Sequence, residues 1–346
     1  MTGSTAFEQG PDPLPGTEAT STPESRGLAR DGVQMLVARP GQVTHRRVRD
    51  LPAELRPGDL LVVNTSGTLP AAVDLARDRA GQAVHVSTQL DDGAWVVEVR
   101  RADANGHARV TEGEILRLPG GLRLRVTGAH PRGQHRLWRA IPSPWRDTVD
   151  YLGEHGHPIG YRYLDTELAL TDLQNVYADR AGSAEMPSAG RPLTERVLMC
   201  LMSRGVVIAP LVLDTGVSSQ EAHEPPQPER FTVPDVTARL VNETRRVGRR
   251  VVAVGTTVVR ALETVADRTG RVHPATGWTS LVLGPDRPTR TVQGLLTGLH
   301  DPQASHLDLV DAVAGERLRR EAYEAAAVAP APYLWHELGD TMLFLP

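Results

Sequence analysis

The chain has 346 residues, 40% of them hydrophobic, with 38 basic and 42 acidic side chains and a formal net charge of −4. All 38 basic side chains are arginines, which excludes lysine Schiff-base chemistry on pyridoxal phosphate and the lysine-containing phosphate loop of P-loop proteins. The length predicts two domains, and the slightly acidic balance argues against a dedicated nucleic-acid binder while leaving a local basic patch open.

A single cysteine, Cys200, lies in the apolar run 197–202, which predicts a core position and no internal disulfide. No run approaches eighteen apolar residues, and the N-terminus lacks the basic and apolar regions of a signal peptide. We therefore expect a cytoplasmic protein with no membrane partner. The sequence leaves the oligomeric state open.

Composition divides the chain into three parts. Residues 1–25 are rich in Gly, Pro, Ser, Thr and Glu and poor in large apolar side chains, which predicts a disordered tail. Residues 26–75 and 150–346 are expected to form one α/β domain. Residues 76–149 are expected to form an inserted antiparallel β-barrel domain.

The first part of the α/β domain predicts a strand pair, 33–37 and 43–48, and then a buried strand, 60–63. That strand ends at Asn64, within an Asn-Thr-Ser-Gly run. The carboxyl end of a strand is where α/β proteins usually place ligand groups, but the same run is also ordinary turn chemistry. Both interpretations remain open for Asn64, Thr65 and Ser66.

The inserted segment contains short alternating runs separated by turns with glycine, which is typical of a small antiparallel barrel or sandwich. The runs are 84–88, 95–101, 114–118, 122–127 and 136–141. Its arginines form either solvated outer strand faces or a surface that binds a nucleic-acid backbone. These arginines are Arg100, Arg101, Arg123, Arg125, Arg132, Arg136 and Arg139.

After the insert, His155-Gly156-His157 has no acidic or cysteine partner at a recognised ligand spacing, so we expect no metal. Residues 182–190 form a loop of small residues that lets the backbone approach a ligand closely. Thr194 is predicted to cap a helix that runs to Ser203, and a buried strand follows at 206–213.

Residues 218–230 contain three prolines and no apolar periodicity, so they predict a loop. A helix is expected at 234–247. Further strands are expected at 277–283, 294–299 and 337–345, with one long helix at 308–327. The alternation of strands and helices predicts a barrel-like, mainly parallel α/β domain.

The segment 251–264 changes its apolar period from strand to helix around Gly255-Thr256-Thr257. Glycine permits a sharp turn, and the two hydroxyls with the free amides of a helix start could hold an anion or a ribose oxygen. An ordinary strand-to-helix connection is the alternative. The pattern alone does not separate the two.

Several segments in order resemble the S-adenosylmethionine:tRNA ribosyltransferase-isomerase family of queuosine biosynthesis. They are Leu55–Asn64 with Pro70-Ala71, Asn175–Ala178 with Gly182-Ser183 and Pro187–Gly190, Arg249–Thr264, His300 with Pro302 and Ser305, Ala312–Gly315, and Gly339–Met342. Together they extend over residues 26–346. The resemblance implies an α/β barrel-like domain interrupted by a β-barrel.

The resemblance also implies the reaction, in which the ribosyl group of S-adenosylmethionine is transferred to 7-aminomethyl-7-deazaguanine in tRNA and isomerised. The products are epoxyqueuosine-tRNA, adenine and methionine, with S-adenosylmethionine as co-substrate and no metal. The residues expected to be catalytic are Thr256, Thr257, Arg260, His300 and Asp340. The residues expected to contact substrate are Asn64, Tyr177, Ser183, Ser188, Gly190, Gly255 and Glu263.

The chain departs from the family pattern where histidines and an arginine are usual. It has Arg191-Pro192-Leu193 for Leu-His-Phe, an Asp214-Thr215 start for a His-Val segment, and Ser66-Gly67 for Thr-Arg. An altered acceptor is therefore a second hypothesis: an S-adenosylmethionine-using enzyme that acts on a small molecule. A non-catalytic binding relative is the third.

Overall fold

The computed structural model describes residues 18–101, 106–217, 226–300 and 306–346. The strands are β1 (Gln34–Arg39), β2 (Gln42–Arg47), β3 (Leu60–Asn64), β4 (Ser66–Thr68), β5 (Ala72–Asp74), β6 (Ala83–Gln89), β7 (Trp95–Arg100), β8 (Ile115–Arg117), β9 (Arg123–Ala129), β10 (Leu137–Ser143), β11 (Arg180–Ser183), β12 (Val207–Leu213), β13 (Glu229–Val233), β14 (Val251–Val254), β15 (Ala275–Thr279), β16 (Gly294–Gly298) and β17 (Thr341–Phe344). The helices are α1 (Leu51–Glu54), α2 (Thr148–His155), α3 (Glu195–Ser203), α4 (Asp235–Arg246), α5 (Thr256–Val265), α6 (His306–Ala314) and α7 (Glu316–Ala327).

Nine strands form one large sheet in the order β15-β13-β12-β3-β14-β16-β17-β1-β2. Four neighbouring pairs are parallel (β12 with β3, β3 with β14, β14 with β16, and β17 with β1). The other four pairs are antiparallel. The α/β class is therefore confirmed, whereas a mainly parallel, barrel-like sheet is not, because the described pairings divide equally between the two directions.

Helices cover both faces of the large sheet. The central strands β3 and β14 are buried at every position, and all of their residues except Asn64 are apolar, as expected for strands covered on both sides. On one face Leu60 and Val62 pack with Val258 and Leu262 of α5, and on the other face Leu61 and Val63 pack with α3. Each fully buried Val or Leu contributes about 1.5–3 kcal/mol, so this layer of side chains stabilises the packing of α5 against the sheet.

The second sheet is antiparallel throughout, in the order β5-β6-β7-β10-β9-β8. It curls until the backbone amide of Ala76, just after β5, donates to the carbonyl of Arg117 in β8 at 3.0 Å. Trp95 lies fully buried in its core. The five predicted strands of the insert are all present, and a sixth, β5, precedes residue 76. The exact domain boundaries stay a prediction.

The N-terminal prediction needs correction for residues 18–25. Ala19 is fully buried, and its amide donates to the carbonyl of Trp335. Glu24 pairs with Arg30 and Arg191. These side chains hold the segment against the protein, so it is not a tail; residues 1–17 lie outside the described residues.

Four smaller expectations also differ from the structure. Cys200 is exposed because α3 buries Val197 and Leu201 and turns its other face outward. The long helix expected at 308–327 is two helices, since Gly315 takes φ +79° between them. The final strand begins at Thr341, after a turn. The predicted proline loop gives way to β13 at Glu229, and most of that loop lies outside the described residues.

None of the described helices has the length and apolarity to cross a membrane.

Candidate active site

Polar side chains gather at one edge of the large sheet. Four adjacent strands of the sheet run in the same direction, in the order β12, β3, β14 and β16. Their carboxyl ends therefore lie at the same edge of the sheet. The antiparallel strands β13 and β17 begin there. The residues at this edge are Asn64, Asp214, Glu229, Gly255, Thr256, Thr257, His300 and Asp340.

The start of α5 is a partly open part of this edge. Gly255 has φ +89°, and a Cβ at that position would lie 3.3 Å from the Cβ of Ala189. The β14–α5 turn therefore touches the small-residue loop that the sequence singled out. The hydroxyls of Thr256 and Thr257 are half-buried and make no hydrogen bond with the residues that the structure describes. With the free amides of the first helical turn they form a donor-rich surface for a ligand oxygen.

The small-residue loop is fixed by close packing. A Cβ on Gly190 would overlap the hydroxyl of Tyr177, so only glycine fits there. Asn175 donates from Nδ2 to the carbonyl of Pro187 at 3.0 Å. Ser188 begins the short turn that ends at Gly190 and is half-buried. Burial raises the pKa of Tyr177, so its hydroxyl stays neutral.

Two serines and an aspartate form a buried hydrogen-bonded chain. Ser183 Oγ donates to Ser66 Oγ at 2.8 Å, and Ser66 Oγ donates to Asp214 Oδ1 at 2.8 Å. The amide of Thr215 donates to Ser183 Oγ at 3.0 Å, which fixes the direction of the chain. Burial raises the pKa of Asp214, and the Ser66 hydrogen bond opposes that effect. We call Ser183, Ser66 and Asp214 the serine–aspartate relay.

Arg260 is buried beside this relay, where it forms an ion pair with Glu229. Its other guanidinium hydrogens go to the carbonyls of Leu281, Gln227 and Thr279 at 3.1–3.3 Å. Burial raises the pKa of Glu229, and the charge of Arg260 opposes that effect. Because this guanidinium is hydrogen-bonded to groups of the protein itself, we interpret Arg260 as a positioning residue.

Three histidines lie on the other side of the α5 start. His300 follows β16 and stacks on His306, with ring centroids 4.8 Å apart. Its Nε2 is 2.8 Å from Thr297 Oγ1, and its backbone amide donates to the Tyr323 hydroxyl. Burial, together with the imidazoles of His306 and His336, holds the pKa of His300 well below its usual value. His300 is therefore a neutral imidazole at neutral pH.

Aromatic and acidic side chains complete this second side. His336 stacks on Tyr163 at 4.5 Å, and the Tyr163 hydroxyl donates to Glu337. Tyr161 lies beside Tyr163 and donates to Glu185 at 3.4 Å. His336 has φ +67°, an uncommon value for a residue with a side chain. Such strain often marks functional positions.

Two predicted residues at the edge serve the backbone. Asn64 exchanges two hydrogen bonds with the backbone of Leu213, donating at 2.8 Å and accepting at 2.9 Å. The Asp340 carboxylate accepts from the amides of Gln34 and Leu334 at 2.6 and 2.8 Å. Burial raises the pKa of Asp340. Both residues hold strand ends in place rather than facing open space.

Glu263 lies away from this edge. Its carboxylate accepts hydrogen bonds from the backbone amides of Arg290, Thr291 and Val292 at 2.8–3.0 Å. Those amides precede β16, at the opposite edge of the sheet. Since Glu263 is six residues beyond Thr257, it is about 9 Å further along the helix. The structure does not bring it together with the other predicted residues.

Metal binding finds no support in the side-chain arrangement of the described ranges, which place no group of three or more His, Cys, Asp or Glu residues around a common point. His157 faces Asp74 at 3.4 Å, on the insert side. His155 packs on Tyr151. The His-Gly-His segment is thus occupied by packing contacts.

The sequence assigned no role to Asp214, Glu229 or His306, and it left Ser66 open between a ligand contact and turn chemistry. Ser66 and Asp214 are 148 positions apart, so neither local pattern indicates their hydrogen bond. A signal did exist for Glu229, since Glu229, Phe231 and Val233 alternate as in a half-buried strand.

The fold and this edge define a mixed α/β protein with an inserted antiparallel sheet and a cluster of polar side chains at the strand ends. The sequence profile described as "Queuosine biosynthesis protein" matches residues 13–344. The chain belongs to this family, which confirms the resemblance found in its sequence.

Individual relatives agree over nearly the full length. The S-adenosylmethionine:tRNA ribosyltransferase-isomerase of Moorella thermoacetica is 34% identical over 344 residues, covering 96% of this chain and 97% of the relative. The protein of the same name from Thermus thermophilus is 34% identical over 339 residues, with 92% and 96% covered. A crystal structure of S-adenosylmethionine tRNA ribosyltransferase from Thermotoga maritima matches with a TM-score of 0.54 and 28% identity, over 97% of this chain and 99% of that one.

Proposed function

We propose that this protein transfers and isomerises the ribosyl group of S-adenosylmethionine onto 7-aminomethyl-7-deazaguanine in tRNA. The products are epoxyqueuosine-tRNA, adenine and methionine. The carrying observation is the donor-rich surface at the start of α5, where Thr256 and Thr257 have hydroxyls free of described partners. A substrate with ribose hydroxyls and a carboxylate suits such a surface. Family membership supplies the identity of that substrate and of the acceptor, tRNA.

The reaction needs a base for the acidic proton next to the sulfonium. We assign this role to Asp214, because its carboxylate is held by Ser66 and its burial raises the pKa toward the operating range. His300 remains neutral and has Nδ1 free of described partners, so it can hydrogen-bond a ribose oxygen or the leaving adenine. Asp214 and His300 thus stand on the two sides of the α5 start.

The other predicted residues act through position. Arg260 and Glu229 hold the second turn of α5 against β13 and β15. Asn64 and Asp340 hold the ends of β3 and β17. Ser188 and Gly190, with Tyr177 packed over them, bring the small-residue loop to Gly255.

Adenine release tests this function. Purified protein, S-adenosylmethionine and tRNA bearing the 7-aminomethyl base should yield adenine and epoxyqueuosine-tRNA, both measured by mass spectrometry. Thr257→Ala should reduce kcat/KM for S-adenosylmethionine on the order of tenfold, the effect of one lost hydrogen bond to a charged or polar ligand atom. Its fold should be unchanged, since the hydroxyl makes no described contact.

Near the site the sequence departs from the family pattern, so two alternative functions remain. The same experiment distinguishes them. Asp214 and Ser66 stand where the family usually has His and Thr, so the acceptor side of the site is altered. Adenine release that needs a small molecule and ignores tRNA would select an altered acceptor. Binding of S-adenosylmethionine in calorimetry, without turnover on any acceptor, would select a non-catalytic relative.

A further inference from the structure

A groove of about 910 Å³ lies on the inserted sheet, and its lining is basic and aromatic. Arg101, Arg109, His107 and His135 line it, and Glu112 is the acidic residue among the described lining side chains. We call this the insert groove. Its guanidinium and imidazole groups are the side chains that proteins use for phosphate oxygens.

Arg109 offers its charge to a ligand. Its side chain is exposed and forms no ion pair or hydrogen bond within the described ranges. Three other arginines of the insert are committed to ion pairs: Arg100 and Arg136 pair with the buried carboxylate of Glu98, and Arg139 pairs with Asp92. The Arg109 guanidinium, in contrast, is available to a ligand in the groove.

A buried donor in the groove lining also calls for a partner. Trp138 lines the groove and is only 9% exposed. Its indole Nε1 is buried and has no hydrogen-bond partner among the described residues. Buried donors in folded proteins are nearly always satisfied, so this one calls for an acceptor that the described residues do not supply.

The insert groove adjoins the candidate active site. Its lining residue His135 follows Gln134, whose Oε1 accepts a hydrogen bond from Gln227 Nε2 at 3.3 Å. The carbonyl of Gln227 in turn accepts from Arg260 Nη2 at 3.1 Å. Two hydrogen bonds therefore link the neighbour of a groove-lining residue to the buried ion pair beside α5.

We propose that the insert groove binds the sugar–phosphate backbone of the RNA that carries the acceptor base. This rests on the proposed function, which makes RNA the acceptor. A polyanion matches the arginine and histidine lining of the groove. Phosphate contacts position an RNA without reading its sequence, so the groove sets where the acceptor base lies relative to α5.

The test uses the full chain and fluorescein-labelled tRNA lacking queuosine. Arg109→Glu should weaken tRNA binding, measured by fluorescence anisotropy, on the order of tenfold. In a salt series, the slope of log K against log salt should fall by about 0.7–0.9, the loss of one phosphate contact. Trp138→Phe keeps the packing, removes the donor and should weaken binding about threefold. The Kd for S-adenosylmethionine, measured by calorimetry, should not change in either variant.

The matched control is Arg196→Glu on α3, an exposed arginine with no described side-chain partner and the same change of charge. Equal effects of Arg109→Glu and Arg196→Glu, or no tRNA binding by the unsubstituted protein, would overturn the proposal. If tRNA binds and depends on Arg109 while no adenine is released with any tRNA, the groove assignment stands and the proposed function fails.

Discussion

Ser66 and Asp214 follow the neighbouring parallel strands β3 and β12, and the Ser66 hydroxyl donates a 2.8 Å hydrogen bond to Asp214 Oδ1. A carboxylate at the end of one strand is thus oriented by a hydroxyl at the end of the next. Gly182 makes this arrangement possible, since a Cβ there would overlap the carboxylate. The pairing of β3 with β12 in the sheet therefore also determines the position of the Asp214 carboxylate.

Asp214→Asn should lower kcat for adenine release by about 10²–10⁴-fold, because an amide cannot accept the proton. Ser66→Ala should have a smaller effect on kcat and a specific effect on its pH dependence. The hydroxyl favours the ionised carboxylate, so its removal raises the pKa of Asp214 further. A base works above its pKa, and the acidic limb of the kcat profile should therefore move to higher pH.

The control for this pair is Asp286→Asn, which removes an exposed carboxylate. It should leave both kcat and the acidic limb in place. Wild-type kcat in Asp214→Asn would show that Asp214 is not the base.

The sequence predicted the structure most accurately where a short local pattern was sufficient. The β14–α5 unit shows the predicted order of strand, glycine turn and helix, because apolar period, glycine and helix start all lie within fourteen positions. Thr194 caps α3 as its sequence indicates, accepting from the amide of Val197. The relay was beyond reach, because Ser66 and Asp214 meet only after β3 and β12 pair.

Glu263 shows the same limit from the other direction. It stands in the segment that the resemblance marks as functional, but its carboxylate binds three backbone amides 27–29 positions later. Backbone donors have no sequence signature, so the pattern could not distinguish a loop anchor from a ligand contact. The long predicted helix failed for a related reason: apolar periodicity continues through Gly315, whose φ of +79° ends α6.

Arg260→Gln should destabilise the protein by about 3–5 kcal/mol, because it leaves the Glu229 carboxylate buried without its partner. The matched control is Arg239→Gln, whose pair with Asp235 is about two-thirds exposed on both sides. That change should cost less than about 1 kcal/mol. Urea unfolding gives both values.

The double substitution Arg260→Gln with Glu229→Gln separates charge burial from shape. Removing both charges should recover part of the stability lost in Arg260→Gln. Equal losses in Arg260→Gln and Arg239→Gln would contradict a buried pair that holds α5.

Gly255→Ala should destabilise the β14–α5 turn by about 1–3 kcal/mol, because φ +89° with ψ 155° lies in a region that only glycine enters readily. The added Cβ would also press on Ala189 at 3.3 Å and move the small-residue loop. Thermal unfolding reports the stability, and the KM for S-adenosylmethionine should rise as well.

Gly153→Ala is the counterpart to Gly255→Ala within a helix. Gly153 lies in α2 with nothing within 4 Å of a Cβ built there, so alanine should stabilise the protein by about 0.5–1 kcal/mol. If Gly255→Ala stabilised the protein instead, the backbone conformation at this position would not require glycine.

Acidification should unfold the protein partly through His85 in β6. Burial, with the charges of Arg100 and His157 nearby, lowers the pKa of His85 to about 3. Below pH 6.5 the unfolded chain binds a proton at this residue and the folded chain does not, so stability falls as the pH falls between 6.5 and about 3. From pH 6.5 to 5 the loss in the free energy of unfolding should be on the order of 2 kcal/mol.

Urea unfolding gives the free energy of unfolding as a function of pH for the unsubstituted protein and for His85→Gln. The two curves should differ by a constant above about pH 7.5 and converge as the pH falls to about 5. Parallel curves over this whole range would show that His85 titrates alike in both states.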